Sequence, residues 1–250
     1  MTEKKKRRYG VLPVILCIVL IGLAIAAYKQ FIAGTLTEDY QKEMTVNGNK
    51  LKIKGEISHS QRAVSRTKIA GGKLLVYECL PSFWKKGRTF FVEYDLSQGE
   101  LTVNGDVVKS DGFIISKKAL ALYDARNPYI GDMPGNNRIA EILEISKSLG
   151  NYKNALQTAK EPFGWTLNFE EEVSVADRIS FDSRMESYGI ALMAMVDNCD
   201  EVSWTYKSGD ETVTVTRTAE DGNKKAGKDI KTLSESPEKV QELMELLELN

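Results

Sequence analysis

Residues 9–28 carry no charged side chain and are dominated by Leu, Ile, Val and Ala. As a helix, a run of that length spans about 30 Å, the hydrocarbon thickness of a bilayer. It constrains the chain more than any other feature, because a segment that dissolves in lipid separates everything before it from everything after it. Lys4, Lys5, Lys6, Arg7 and Arg8 precede it with only Glu3 in opposition, and a basic flank of this kind stays in the cytoplasm. Tyr9 and Tyr28 stand at the two ends, where amphipathic rings favour the headgroup layer. The expectation is a single-pass signal anchor: a cytoplasmic tail over residues 1–8, a transmembrane helix over 9–28 and the C-terminal remainder outside the cell membrane, with lipid as its first partner. Ala24-Ile25-Ala26 also has the small-x-small form of a signal-peptidase site. The apolar run from 11 to 27 exceeds the usual signal-peptide core, so retention is the expected outcome. Gly22 and Ala26 form a small-xxx-small pair through which two such helices can approach, although spanning helices are rich in these residues anyway.

The whole chain has a net charge of −1. Five of the 34 basic residues but only one of the 35 acidic ones lie in the tail, so the part after the span carries an acidic excess. That balance argues against a phosphate-tracking nucleic-acid binder. The single histidine, His59, and the two cysteines beyond the span, Cys79 and Cys199, are too few for the usual zinc spacings, and neither metal nor cofactor is expected. An oxidising compartment permits a Cys79–Cys199 disulfide, but a chain of this size folds without one, and two buried free thiols are expected.

A polar stalk is expected over residues 29–44, followed by an all-β domain over 45–119. Lys50-Leu51-Lys52-Ile53-Lys54 alternates as a half-buried strand does, and the Asn47-Gly48 and Asn104-Gly105 pairs suit tight hairpin turns. Further strands are read at 73–80, 89–96, 101–108, 112–116 and 119–123, which together suggest a small antiparallel sandwich. Pro81-Ser82-Phe83-Trp84-Lys85-Lys86 interrupts them. It is either an exposed aromatic and basic loop that touches a partner or the outer leaflet, or a hairpin connection whose Phe83 and Trp84 fold back onto the core. The second reading is the expectation.

From residue 120 the texture becomes α+β. Ile139, Ile142, Leu143 and Leu149 fit one helical face ended by Gly150, and Trp165, Leu167 and Phe169 alternate along a strand. Ser183 and Glu186 have the spacing of a capping box that opens a second helix with Tyr188, Leu192, Met195 and Val196 on one side. Val202, Trp204 and Tyr206 alternate into a hairpin closed at Ser208-Gly209, residues 219–231 read as a surface connection, and Ser236-Pro237 starts a last helix. The predicted fold is a two-layer α+β domain over 120–250, helices on an antiparallel sheet.

Asn127-Pro128-Tyr129-Ile130-Gly131-Asp132 ahead of a capped helix, then Leu156-Gln157-Thr158 with Pro162-Phe163-Gly164-Trp165-Thr166-Leu167, resembles the family called domain of unknown function 4825. The stretch 191–198 with Glu201-Val202 is similar to that family's second helix leading into a strand. Phe163, Trp165 and Met193 depart from the family pattern, in packing more than in chemistry. The resemblance implies a membrane-anchored extracytoplasmic module of Gram-positive bacteria, in some members attached to metalloprotease sensors or anti-sigma-like proteins, with no activity established. This chain lacks the HExxH signature of such a protease.

Tyr129, Gly131 and Asp132 are the candidate partner-contacting residues of the second domain, since a loop on a rigid scaffold commonly binds. The plain alternative gives Gly131 a positive φ, makes Asp132 a helix cap and has Tyr129 fill a groove. The preferred class is a non-catalytic binding or sensory module that contacts lipid and another membrane or cell-wall component. The alternatives are a scaffold that oligomerises through its anchor and an enzyme built on paired carboxylates.

Overall fold

The computed structural model describes residues 3–249, with side chains from Leu12 onward. The chain divides into two compact units, Met1–Ile114 and Ile115–Asn250.

The first unit begins with helix α1 (Glu3–Tyr28), prolonged by a π-helical turn, Lys29–Ala33. Its apolar stretch, Leu12–Ala33, has a mean hydropathy of 2.3, and none of its 18 most apolar residues is buried. A helix that is apolar on all sides and not buried is long and apolar enough to cross a membrane. The apolar stretch runs past Tyr28 because Phe31, Ile32 and Ala33 continue its character beyond Lys29. The side chain of Tyr9 lies outside the described residues.

No stalk follows. Strands β1 (Thr35–Thr37) and β2 (Tyr40–Asn47) occupy the positions expected to be a polar connection. Gly34, at φ +72°, lets the chain turn directly off the helix, and a side chain there would meet the Glu78 carbonyl oxygen at 2.7 Å. Polar composition over 29–44 therefore reflects half-exposed strands, whose outward positions take polar side chains.

Strands β3 (Lys50–Ile57), β4 (Ala63–Ala70), β5 (Lys73–Cys79), β6 (Thr89–Asp95), β7 (Leu101–Val103), β8 (Asp106–Val108) and β9 (Ile114–Ile115) complete this part. One sheet runs β2-β3-β6, and the other β1-β5-β7-β8-β9 with β4 also paired to β5. Leu51, Ile53 and Ile57 from the first sheet and Leu74, Val76, Leu101 and Val103 from the second are buried in one common core. That is the expected sandwich, except that β5 and β7 pair in parallel and so correct its all-antiparallel reading. At roughly 25 cal/mol per Å² of apolar surface, this shared interior is its main source of stability. Gly55 lies opposite Phe90, whose ring would stand 2.2 Å from a Cβ at that position, so glycine is required for the ring to lie over the strand.

In the second unit, helices α2 (Lys117–Asp124), α3 (Met133–Ile142), α4 (Ile145–Leu149), α5 (Arg178–Met195), α6 (Ala219–Ala226) and α7 (Pro237–Leu246) accompany strands β10 (Tyr152–Gln157), β11 (Gly164–Glu172), β12 (Glu201–Ser208) and β13 (Glu211–Thr218). Residues 119–123 are helical rather than extended: Ser116 caps α2 by accepting from the Ala119 amide at 3.1 Å, and Ala-Leu-Ala-Leu has high helix propensity. The helix expected to run to Gly150 breaks at Glu144, which takes φ +59°, and so becomes α3 and α4. α5 starts at Arg178, five positions before the anticipated box, so Asp182 and Glu186 are free to serve as side-chain partners within the helix. Residues 219–226, expected as a connection, form α6, opened by a Thr218–Asp221 capping box.

The sheet order is β10-β11-β12-β13. Its outer pairs are antiparallel, but β11 and β12 are parallel, which corrects the expected all-antiparallel sheet. The reason is α5: a long crossover helix returns the chain to the same end of the sheet, and strands joined that way run in the same direction. Trp165, Leu167, Val202, Trp204 and Tyr206 are buried on the helix side. The opposite face carries hydroxyl pairs, Ser203–Thr216 at 2.7 Å and Thr205–Thr214 at 3.1 Å. From Tyr188 to Met195 every residue of α5 is buried, so its apolar character there is not a one-sided stripe.

Candidate functional site

Tyr129, Gly131 and Asp132 fall together on the loop that enters α3, and two buried asparagines hold that loop in one shape. Asn127 Nδ2 donates to Asn136 Oδ1 at 2.8 Å and to the Asp132 carbonyl at 3.2 Å, while its Oδ1 accepts from the Tyr129 amide at 3.2 Å. Asn136 is fully buried and donates to the Ile130 carbonyl at 2.6 Å. Asn198, in the turn after α5, accepts from the Ile130 amide at 2.7 Å. The Asn127 amide in turn donates to the Met195 carbonyl at 2.9 Å, and the Asp197 amide donates to the Asn127 carbonyl at 2.9 Å. Fully satisfied networks of this kind set a unique backbone, because breaking one bond strands a buried partner.

Ile130 plugs the core beneath, and Tyr129 is left 68% exposed. Asp132 caps α3 by accepting from the Gly135 amide at 3.3 Å. Gly131 has open space around it and no positive φ, so the conformational reason considered for it does not hold. The glycine that the loop needs is Gly135, where a Cβ would come within 2.5 Å of Asp132 Oδ2 and 2.8 Å of Asn127 Nδ2. Asn127 and Asn198 were read from the sequence only as parts of family motifs, and Gly135 and Asn136 only as turn and cap chemistry, none of them as residues of the site. The signal that could have found them is the spacing of Asn127 and Asn136 across the Pro-Gly start of α3, which only acquires meaning once both amides are known to be buried.

The turn after α5 is itself braced by Lys231. Its Nζ donates to the carbonyls of Met193, Val196 (2.7 Å) and Cys199 (2.9 Å), the positive charge sitting where α5 ends and its carbonyls are unpaired. Burial pulls the Lys231 ammonium below the ordinary lysine value. Burial also pushes the neighbouring Cys199 thiol up to about 12, and its Sγ donates to the Glu201 carbonyl at 3.4 Å. A thiol held protonated and enclosed is a poor nucleophile. Cys79 is likewise buried and free, its thiol raised by burial.

A cleft of ≈ 420 Å³ opens elsewhere on this unit, lined among others by Lys118, Glu144, Lys147, Ser148 and Arg184. Its cations are already engaged. Lys118 Nζ donates to the Leu249 carbonyl at 2.7 Å, Lys147 pairs with Glu144 at 2.8 Å, and Arg184 donates to Ser148 Oγ. In the first unit, His59 stands between Glu78 (2.9 Å) and Asp39 (3.7 Å), a charge cluster beside the end of β5.

Phe83 and Trp84, expected to fold back, do the opposite: each is 81% exposed. The amide and carbonyl of Ser82 exchange bonds with those of Lys85 (2.8 and 3.3 Å), which places the two aromatics at the tip of a tight turn, beyond reach of any core. Of the anchor residues, Gly22, Ala26 and Tyr28 all lie exposed on α1, and open space surrounds Gly22.

No curated protein and no solved structure matches this chain. Residues 122–218, from the end of α2 through the asparagine-braced loop and the four-stranded sheet, match the model of the family described as domain of unknown function DUF4825.

Proposed function

We propose that the chain is a single-pass membrane protein whose basic tail stays in the cytoplasm and whose two folded units stand outside, as a non-catalytic binding or sensory module. The observation that carries this reading is α1: an apolar helix, exposed over residues 12–28, led in sequence by five cations and followed without a stalk by folded chain. Lipid is one partner, through α1. The second is another membrane or cell-wall component of the Gram-positive bacterial surface, met by the Tyr129 loop, where an exposed aromatic stands on a backbone that needs no ordering on contact. A non-catalytic role is supported by the enclosed Cys199 thiol and by the engaged cations of the open cleft.

Topology is the direct test. Protease added outside intact cells or spheroplasts is expected to remove both units and leave a small membrane-protected fragment that carries the tail. Protection of the units, or recovery of the chain in the soluble cytosol, overturns the reading.

A further inference from the structure

The exposed aromatic turn after β5 sits beside the point where α1 leaves the bilayer, and we propose that Phe83 and Trp84 insert into the lipid headgroup layer as a second membrane contact. The proposal rests on α1 spanning the membrane and goes beyond it, because one helix fixes only where the protein is attached, whereas a second contact fixes how it stands.

Strand direction supplies the placement. β1 starts directly after the apolar stretch and leads the chain away from it, and β5 pairs antiparallel with β1, Thr37 opposite Val76 and Thr35 opposite Glu78. β5 therefore runs back toward the end of the span. At its end, the Leu80 amide donates to the Gln30 carbonyl at 2.9 Å, level with the last turn of the apolar stretch. Pro81 and Ser82 then carry the chain onward to the two-residue tip.

Three further bonds tie this region to the helix end. Ser65 Oγ donates to the Ile32 carbonyl, Lys85 Nζ donates to the Ser65 carbonyl at 2.6 Å, and the Val64 amide donates to the Gly87 carbonyl at 2.8 Å. With Gly34 packed tightly on Glu78, the loop and the helix exit form one continuous piece.

The composition of the tip fits the headgroup layer. The two rings stack edge to face at 5.8 Å, and Lys86 Nζ lies 5.4 Å from the Phe83 ring. Aromatic rings with flanking lysines suit an interface in which the rings meet acyl chains and the ammonium groups meet phosphates. Adjacent Phe and Trp side chains left this exposed mark a contact surface rather than a random apolar residue. Continuity with the span selects lipid as the occupant over a soluble protein.

The test uses tryptophan emission from the full chain reconstituted in phosphatidylcholine–phosphatidylglycerol vesicles. Trp84 is the exposed member of three tryptophans, since Trp165 and Trp204 are fully buried in the second unit. Lipid brominated near the headgroup end of its acyl chains is expected to quench part of the emission, and the Trp84→Phe variant is expected to lose that quenched part. Aqueous iodide is expected to leave wild-type Trp84 largely unquenched. Flotation of the vesicles in alkaline carbonate reads α1 separately. A chain that floats, but whose Trp84 responds to iodide and not to brominated lipid, overturns the second contact and leaves the anchor standing. A chain that does not float with the vesicles removes the anchor first and the second contact with it.

Discussion

Asn136 is the residue on which the second unit's loop turns. Its amide has no exposure, and its partners, the Ile130 carbonyl and the Asn127 side chain, are enclosed with it. Asn136→Leu is expected to cost about 2–4 kcal/mol, because each stranded buried group costs roughly 1–3 kcal/mol. Gly131→Ala, in open space at an ordinary φ, is expected to stay within about 0.5 kcal/mol. Urea unfolding in detergent micelles, followed by the emission of Trp165 and Trp204, measures both. The protonation of Cys199 belongs to this scale as well. The folded thiol keeps its proton to about 12, whereas the unfolded thiol loses it near 9.0. Between those values the unfolded chain binds fewer protons, so stability is complete below pH 9 and falls as pH rises. Tyr206, raised by burial from 10.0 to about 12, adds a loss of the same sign, while Lys231, lowered by burial, opposes it. Comparing unfolding midpoints at about pH 8 and about pH 11 is expected to show a smaller alkaline loss in Cys199→Val than in wild type.

At the scale of elements, one carboxylate of α5 holds two aromatic side chains of β12. Asp182 accepts from Trp204 Nε1 at 2.7 Å and from the Tyr206 hydroxyl at 2.9 Å, and both aromatic side chains are buried. Asp182→Ala strands two donors and is expected to destabilise the second unit by about 2–4 kcal/mol, with Asp182→Asn milder because its carbonyl oxygen still accepts. An unchanged denaturation slope with a lowered midpoint would locate the loss in the folded state. These contacts explain why the expected capping box at Ser183 and Glu186 was a misreading. Carboxylates inside α5 face partners on other elements: Glu186 takes Arg217 and Lys225, each at 2.6 Å, and a local spacing rule has no access to residues thirty positions away. The same blindness turned α2 into a strand. A short Ala-Leu alternation satisfies both periods, and the Ser116 cap decides between them. Where periodicity was long or unambiguous, as in β3, β11 and β12, the strand, its inward face and its residues were all legible.

At the scale of the whole molecule, a lipid-length helix, an α+β class, a sandwich-like first sheet pair and the family resemblance of residues 122–218 could all be read from the residues alone. Each rests on a local property: hydropathy summed over a window, alternation along a strand, or an ordered set of short motifs. The chain by itself did not reveal the parallel β11–β12 pair, the asparagine brace under Tyr129 or the exposure of Phe83 and Trp84 beside the helix exit. Those depend on which distant segments meet, and whether a polar group is buried or an aromatic is left bare is a property of that meeting rather than of the residue. Local sequence set what each segment prefers, and only the tertiary fold decided which side chains had neighbours.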